Sequence, residues 1–303
     1  MTPRLFLGRG LRLLILGVFT IFFVAPILWL ILAPTKSDHA LVLNSPFSFG
    51  SFHQVALAWK HLDHFSHHVY RHWIVNSLVY SLTATAITLV VSIPAGYGLA
   101  LGRFPGRRLI LSLTLISMII PSAALVLPIY LEMNAADHIV LFGSHVHLIN
   151  SAWSVILPFA FFPFGVYLAY IYYITALPPT LLEAARVDGA SELQTFLRIA
   201  MPLAKPVLAL VFFFAFVSDW NNFFLPYVVL SDPQQLPITV GLQDLLASTP
   251  AFNPSVGGGG GATNIFKPEL AIATVIAVLP IAVIFVASQR ALVRGLVGGG
   301  VKE

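Results

Sequence analysis

Asp219 is the one charged residue between Pro206 and Leu230, and Trp220, Asn221 and Asn222 follow it directly. An unpaired carboxylate in an apolar span costs about 2.5–3.5 kcal/mol on insertion scales, so it must face protein or water rather than lipid. Amides beside aromatic rings suit a polyhydroxylated ligand, because amides hydrogen-bond hydroxyls and rings pack against a sugar face. The same cluster also suits a polar clamp between helices. On the residues alone, pathway lining and clamp both stand.

A second group is charged where the chain is otherwise apolar: EAARVDGASELQTFLRIAMPLAKP, from Glu183 to Pro206. Thr180-Leu181-Leu182-Glu183, after Pro178-Pro179, has the form of a capping box that starts a helix. Gly189 supplies the stop, since glycine accepts the left-handed backbone at a helix C-terminus. Ser191-Glu192-Leu193-Gln194 reads as a second capping box, whose helix aligns Leu193, Phe196, Leu197 and Ala200 on one face until Pro202 ends it. The expectation is a helix, a glycine turn and a helix, forming a rigid bracket. Asp188 breaks the local rule, because an acid near a helix C-terminus opposes the dipole, and such exceptions point to function.

Histidine is the third candidate. His61, His64, His68 and His72 recur at helical spacing, and imidazole is a zinc ligand, but no HExxH pattern accompanies them. The alternative is the polar face of an interfacial helix whose Phe65, Tyr70 and Trp73 sit at the headgroups. The sequence assigns no metal site and no catalytic residue. Gly257–Gly261 is not a phosphate-binding loop, because no Gly-Lys-Ser/Thr follows, and no such pattern occurs elsewhere. With 0 cysteines, disulfides, thiolate metal sites and a cysteine nucleophile are excluded.

These groups hang on an apolar frame. Only 9% of the 303 residues are charged and 58% are hydrophobic, against about 25% charged in a soluble domain, so the chain reads as a membrane protein. A bilayer core needs roughly 20 apolar residues per helix. Six stretches qualify: about Leu13–Ala33, Ile74–Leu101, Leu109–Leu131, Trp153–Leu177, Pro206–Leu230 and Leu270–Ser288. The first is longer than a signal-peptide core and reads as a retained span. Arg4, Arg9, Arg12, Arg103, Arg107, Arg108, Arg186, Arg198, Lys205, Arg290, Arg294 and Lys302 fall on one side, and Lys36, Lys60, Arg71 and Lys267 on the other. That split of 12 to 4 places both termini and the Glu183 bracket in the cytoplasm by the positive-inside rule. Pro94, Pro121, Pro128, Pro158, Pro163, Pro226 and Pro280 interrupt the spans, which fits kinked helices and equally a bundle around a pathway. Gly98 and Gly102 form a GxxxG that lets another helix approach.

Glu183-Ala184-Ala185, Asp188-Gly189-Ala190, Phe196, Ile199 and Pro202 resemble the EAA signature of ABC importer permeases. The tail from Gly295 to Glu303 resembles the end of the maltose/glycerol-3-phosphate branch of sugar permeases, as do Asn76-Ser77-Leu78, Pro128-Ile129-Tyr130, Pro226 and Thr239-Val240-Gly241-Leu242. The resemblance covers roughly residues 70–303. It implies an all-α, polytopic type I importer permease fold with six transmembrane helices, as one domain over 1–303 with its core at about 70–290 and a coupling segment at 178–205. The bracket is then the coupling helix that docks on a cytoplasmic ATPase. The implied partners are a sister permease in a heterodimer, two ATPase subunits, an extracytoplasmic solute-binding protein, a sugar and membrane lipid, with no nucleic acid. This chain itself hydrolyses nothing and holds no cofactor; ATP and magnesium belong to the ATPases. The implied location is a prokaryotic inner membrane. A non-sugar solute, an ion-driven carrier using Asp219 and a membrane zinc enzyme are the competing readings.

Overall fold

The computed structural model describes residues 3–137, 140–141, 144–145, 147–253, 255 and 265–297. The Gly257–Gly261 run and the tail from Gly298 to Glu303 lie outside the described residues. Fifteen α-helices are described: α1 (Pro3–Leu32), α2 (Asp38–Leu43), α3 (Phe52–His64), α4 (Val69–Leu101), α5 (Arg107–Ser117), α6 (Ser122–Ala136), α7 (Ala152–Phe159), α8 (Pro163–Ala176), α9 (Pro179–Val187), α10 (Glu192–Thr195), α11 (Met201–Leu203), α12 (Lys205–Trp220), α13 (Phe224–Val229), α14 (Ile238–Ala247) and α15 (Lys267–Val297). A π-helical turn, Phe196–Ala200, joins α10 to α11. One two-rung antiparallel ladder, Val140–Leu141 with Ser144–His145, is the strand content of the described residues.

Four helical stretches are long and apolar enough to cross a bilayer: Gly10–Thr35, Val69–Leu101, Ala152–Ala176 and Lys267–Gln289. Two bent pairs, α5 with α6 at 107° and the Glu192–Leu203 arm with α12 at 75°, bring the number up to six if each pair is one span. The expected third span is therefore broken at Met118–Pro121, where Pro121 cannot donate an amide and caps α6 instead. The expected fifth span, Pro206–Leu230, is not one helix either, because it opens at Asn221–Phe223 between α12 and α13.

The chain forms two compact units. The first comprises Met1–Arg71 and Gly241–Leu279. Here the large apolar side chains of α1 from Leu11 to Ile31 are mostly exposed, as befits a helix long and apolar enough to cross a bilayer. Lys36 is buried and its Nζ donates to Ser45 O at 2.7 Å and Pro46 O at 3.0 Å, closing the loop after α1. Glu269 caps α15 by accepting from Phe266 N at 3.1 Å, and its other oxygen meets His61 Nδ1 at 3.1 Å.

The second unit comprises His72–Val240 and Pro280–Glu303. Its buried centre joins Ile93 and Ala100 of α4, Ala169 and Tyr173 of α8, Leu182 of α9, Ala200 and Ala204, and Val207 and Val211 of α12. One core thus contains residues of three spanning segments and of the bracket. The close helix approach falls at Gly96 rather than at the GxxxG pair. A Cβ on Gly96 would lie 2.8 Å from Tyr170 N, whereas one on Gly98 meets nothing within 4 Å.

Candidate functional site

The bracket has the expected shape with one cap missing. Pro178 occupies the N-cap of α9 and no side chain caps it. Thr180 lies inside the helix, so the Thr180–Glu183 box does not form and Glu183 is free of any capping role. Two prolines at the helix start explain this: Pro179 at the first helical position needs no hydrogen-bond acceptor, and its fixed φ already suits a helix. At the other end the glycine turn forms as expected. Gly189 has φ +79°, Ala190 N donates to Ala185 O at 3.0 Å and Gly189 N donates to Arg186 O at 3.1 Å. Those are the two bonds of a Schellman motif. The second box also forms, with Gln194 N on Ser191 Oγ at 3.3 Å and Ser191 N on Gln194 Oε1 at 2.9 Å.

The buried face of the second arm differs from the expected one. Thr195 and Ala200 are buried and Phe196 half-buried, while Leu193 and Leu197 are exposed. The π-turn shifts the register: Met201 N reaches back five residues to Phe196 O, which rotates the face by the extra residue. Pro202 does not end the arm; it lies within α11, and the chain turns at Ala204. Phe196 packs on Tyr97 with ring centroids 5.0 Å apart, Tyr97 on Tyr173 at 5.4 Å, and Tyr172 Oη donates to Leu203 O at 2.6 Å. The bracket is thereby tied to α4 and α8.

Its outward surface carries Glu183, Ala184, Val187, Asp188 and Gly189, all exposed, while Ala185 is buried against the core and Ala190 and Ile199 are half-buried. Glu183, Arg186 and Glu192 line a groove of about 690 Å³ with Tyr97, Leu101 and Arg103. Arg186 Nε and Glu192 Oε1 meet at 3.0 Å across the turn. Both are well exposed, so the pair contributes only about 0–1 kcal/mol.

The second site is a cavity of about 720 Å³ between α6, the α7–α8 break and the α12–α13 break. Ser122, Ile129, Glu132 and Met133 come from one face of α6; Phe159, Phe161 and Phe162 come from the break before α8; Ser218, Asp219, Asn221, Asn222, Phe223 and Phe224 complete it. Irregular backbone at membrane depth is tolerated where it lines a cavity, and the Asn221–Phe223 opening does so. Asp219 is buried, accepts from Thr85 Oγ1 of α4 at 3.2 Å and faces this cavity. It therefore bridges two helices and lines a cavity, which is compatible with both readings. Asn221 Nδ2 donates to Val217 O at 2.8 Å, and Asn222 Oδ1 accepts from Leu225 N at 3.4 Å at the start of α13. Trp220 is not among the lining residues; it is buried and stacks on Phe216 at 5.5 Å.

The break is held from α4. Ser77 Oγ accepts from Ile238 N at 2.7 Å, Asn76 Nδ2 donates to Gln234 O at 2.7 Å, and Thr239 Oγ1 donates to Asn222 O at 3.0 Å. The Asn76-Ser77 and Thr239 motifs thus secure the loop that carries Asn222.

The histidines do not form one helical face. After His64 helix α3 ends and Ser66, His67 and His68 have φ +45°, +60° and +67°, so the spacing of His61, His64, His68 and His72 crosses a break. His61 pairs with Glu269, His64 Nδ1 meets Lys60 O at 2.7 Å, and His68 meets Asp63 at 3.2 Å. Among the described residues no group of three metal-binding side chains occurs. Tyr70 and Trp73 are buried within the protein: Tyr70 Oη donates to Ala273 O at 2.9 Å and Trp73 Nε1 to Pro233 O at 2.8 Å.

Sequence reasoning missed Glu132, Ser122 and the phenylalanines at 159–162. Glu132 had a usable signal, an acid beside an apolar span, but it falls one residue past the expected end at Leu131. The phenylalanines had none, being ordinary span residues until two breaks turn them inward.

Residues 92–298 match the family described as binding-protein-dependent transport system inner membrane component. The chain is 35% identical over 234 residues to the arabinooligosaccharides transport system permease protein AraQ of Bacillus subtilis (strain 168), covering 77% of this chain and 74% of that protein. It is 28% identical to the lactose transport system permease protein LacG of Rhizobium radiobacter, over 91% and 90% of the two chains. Its fold resembles a chain in the crystal structure of a bacterial ABC transporter involved in the import of the acidic polysaccharide alginate, with a TM-score of 0.77 at 21% identity over 96% of this chain and 99% of that one.

Proposed function

The chain belongs to the family of binding-protein-dependent transport system inner membrane components, and on that premise we propose that it is the permease subunit of an ATP-driven sugar importer. The observation that carries the cargo reading is the cavity at the two helix breaks, where Asp219, Asn221, Asn222 and Glu132 stand among phenylalanine rings. Carboxylates and amides bond hydroxyls, and flat rings cover the apolar face of a pyranose. The oligosaccharide and lactose permeases among its relatives support the same class.

The bracket is the site of coupling. Glu183, Ala184, Asp188 and Gly189 form its exposed surface, and Ala185, Ala190, Phe196, Ile199 and Pro202 complete the motif behind them. An ATPase subunit docks there and supplies the ATP and magnesium chemistry that this chain lacks. Because Leu182, Ala200 and Ala204 share one core with α4, α8 and α12, a push on the bracket moves those spans as a body. The cavity then opens alternately to the two sides. A sister permease completes the pathway, two ATPase subunits drive it, and a solute-binding protein delivers cargo from outside. Both termini and the bracket lie in the cytoplasm, a reading supported by the 12-to-4 distribution of basic residues. An ion-driven carrier is disfavoured by the exposed bracket, which has no task in such a machine.

The test is reconstitution of the complex in proteoliposomes, with uptake of labelled oligosaccharide measured against ATP hydrolysis. Asn221→Ala should lower uptake while the complex still assembles; unchanged uptake overturns pathway lining. The chain has 0 cysteines, so Ser191→Cys offers a single thiol for orientation. Labelling of that thiol from outside intact cells by an impermeant maleimide reverses the topology and removes the docking argument.

A further inference from the structure

We infer that the cavity selects saccharides that carry no acidic group, an inference that rests on the sugar-importer reading. The observation is the charge of the lining. Two acidic side chains, Glu132 and Asp219, face the cavity together with Ser122, Ser218, Asn221 and Asn222, and no lysine, arginine or histidine is among the described residues that line it. The helices that build it carry almost no cation. α6, α7, α8 and α13 contain none, and the one on α12 is Lys205 at its far end. At 1.5 Å per residue, Lys205 stands about 21 Å from Asp219 along the helix.

A uronate or sugar phosphate entering this space would give up water at its acidic group and find no cation among this chain's described lining residues to replace it. It would instead meet the acidic side chains of Glu132 and Asp219, and an acid facing an acid at an interface opposes binding. Neutral hydroxyls meet the opposite situation. A carboxylate only accepts, a hydroxyl donates, and the two serines and two asparagines serve either role. Asp219 uses Oδ2 to hold Thr85 and leaves Oδ1 for a ligand. Rejection of the wrong charge is thus built into this half of the pathway by what is absent as much as by what is present.

The experiment measures binding by the permease alone. The purified complex in detergent, without its solute-binding protein, is titrated with a neutral trisaccharide and with the same trisaccharide oxidised at C6 to the uronate. Ligand-induced thermal stabilisation gives the apparent dissociation constants. The neutral sugar is expected to bind about tenfold or more tightly than the uronate, and Glu132→Arg should shrink or reverse that ratio, while Glu132→Gln should narrow it less. Equal stabilisation by both ligands in the unaltered complex overturns the inference. So does stabilisation by neither while proteoliposomes still take up the neutral trisaccharide, in which case the sugar reading survives. Loss of both stabilisation and uptake for every saccharide removes the sugar reading itself.

Discussion

Ser77 Oγ accepts the amide hydrogen of Ile238 at 2.7 Å, from a serine that is 2% exposed. The next residue, Thr239, donates its hydroxyl to Asn222 O at 3.0 Å. A small polar side chain on α4 therefore fixes the loop that fixes the break lining the cavity. Ser77→Ala strands a buried amide, which costs about 1–3 kcal/mol. The expected result is a lower thermal midpoint of the detergent-purified chain together with reduced uptake. An unchanged midpoint would mean that the amide finds another acceptor and that the loop is not held from α4.

Glu183 makes no cap, because Pro178 takes that position. Glutamine and alanine at this site should therefore behave alike. Both Glu183→Gln and Glu183→Ala are expected to fold, insert and assemble, and both should lose sugar-stimulated ATP hydrolysis through loss of a charge-assisted contact, one that contributes roughly 1.5–3 kcal/mol. Full coupling in Glu183→Gln, with loss only in Glu183→Ala, would show that the side chain acts by shape or local helix stability and not by charge.

Gly189 holds φ +79° with its Cβ position open. Space is thus not the obstacle; the backbone is. Gly189→Ala is expected to strain the turn by about 1–2 kcal/mol and to misdirect the exposed bracket, so that ATPase activity persists while uptake falls. Gly189→Asn should be milder, since asparagine tolerates the left-handed region. Equal and full transport in both variants would mean that the turn has no role in transmission.

Asp63 binds Arg71 through both carboxylate oxygens and meets His68 at 3.2 Å, spanning the turn whose three residues have positive φ. The Arg71 hydrogen bond is the main reason that its carboxyl is held below the ordinary value of 3.8. A carboxyl with a depressed folded value contributes stability above the unfolded value and loses it as pH falls through the folded one. The protein should therefore lose thermal stability as pH drops below 3.8, and Asp63→Asn should lower the midpoint at neutral pH while flattening that acid limb. An acid limb of unchanged steepness in Asp63→Asn would assign it to other carboxyls.

How much of this was written in the residues can be judged position by position. The second capping box at Ser191 and the glycine stop at Gly189 were legible because each depends on atoms within three to five residues. The first box at Thr180 was not, although its pattern is as good. Two prolines upstream had already set the helix start, and a local pattern competes with its neighbours for the same amides. The histidine row failed for a related reason: helical spacing has meaning only where the helix continues, and Ser66, His67 and His68 interrupt it.

The six apolar stretches, the lone Asp219 and the basic asymmetry follow from the sequence alone, because hydrophobic length and charge placement respond to the bilayer before any tertiary contact forms. Family membership was legible in the same way, from the short motif around Glu183 and Gly189. What only the tertiary structure decided is which of these residues meet. Glu132 on α6, Asp219 at the end of α12 and the phenylalanines before α8 become one cavity because three spans are broken or bent at Met118–Pro121, Ala160–Phe162 and Asn221–Phe223. Composition registers a proline or an amide but not the direction in which a broken helix turns. That direction is set by packing, at Gly96 against α8 and at Ser77 against the loop after α13, between partners far apart in the chain.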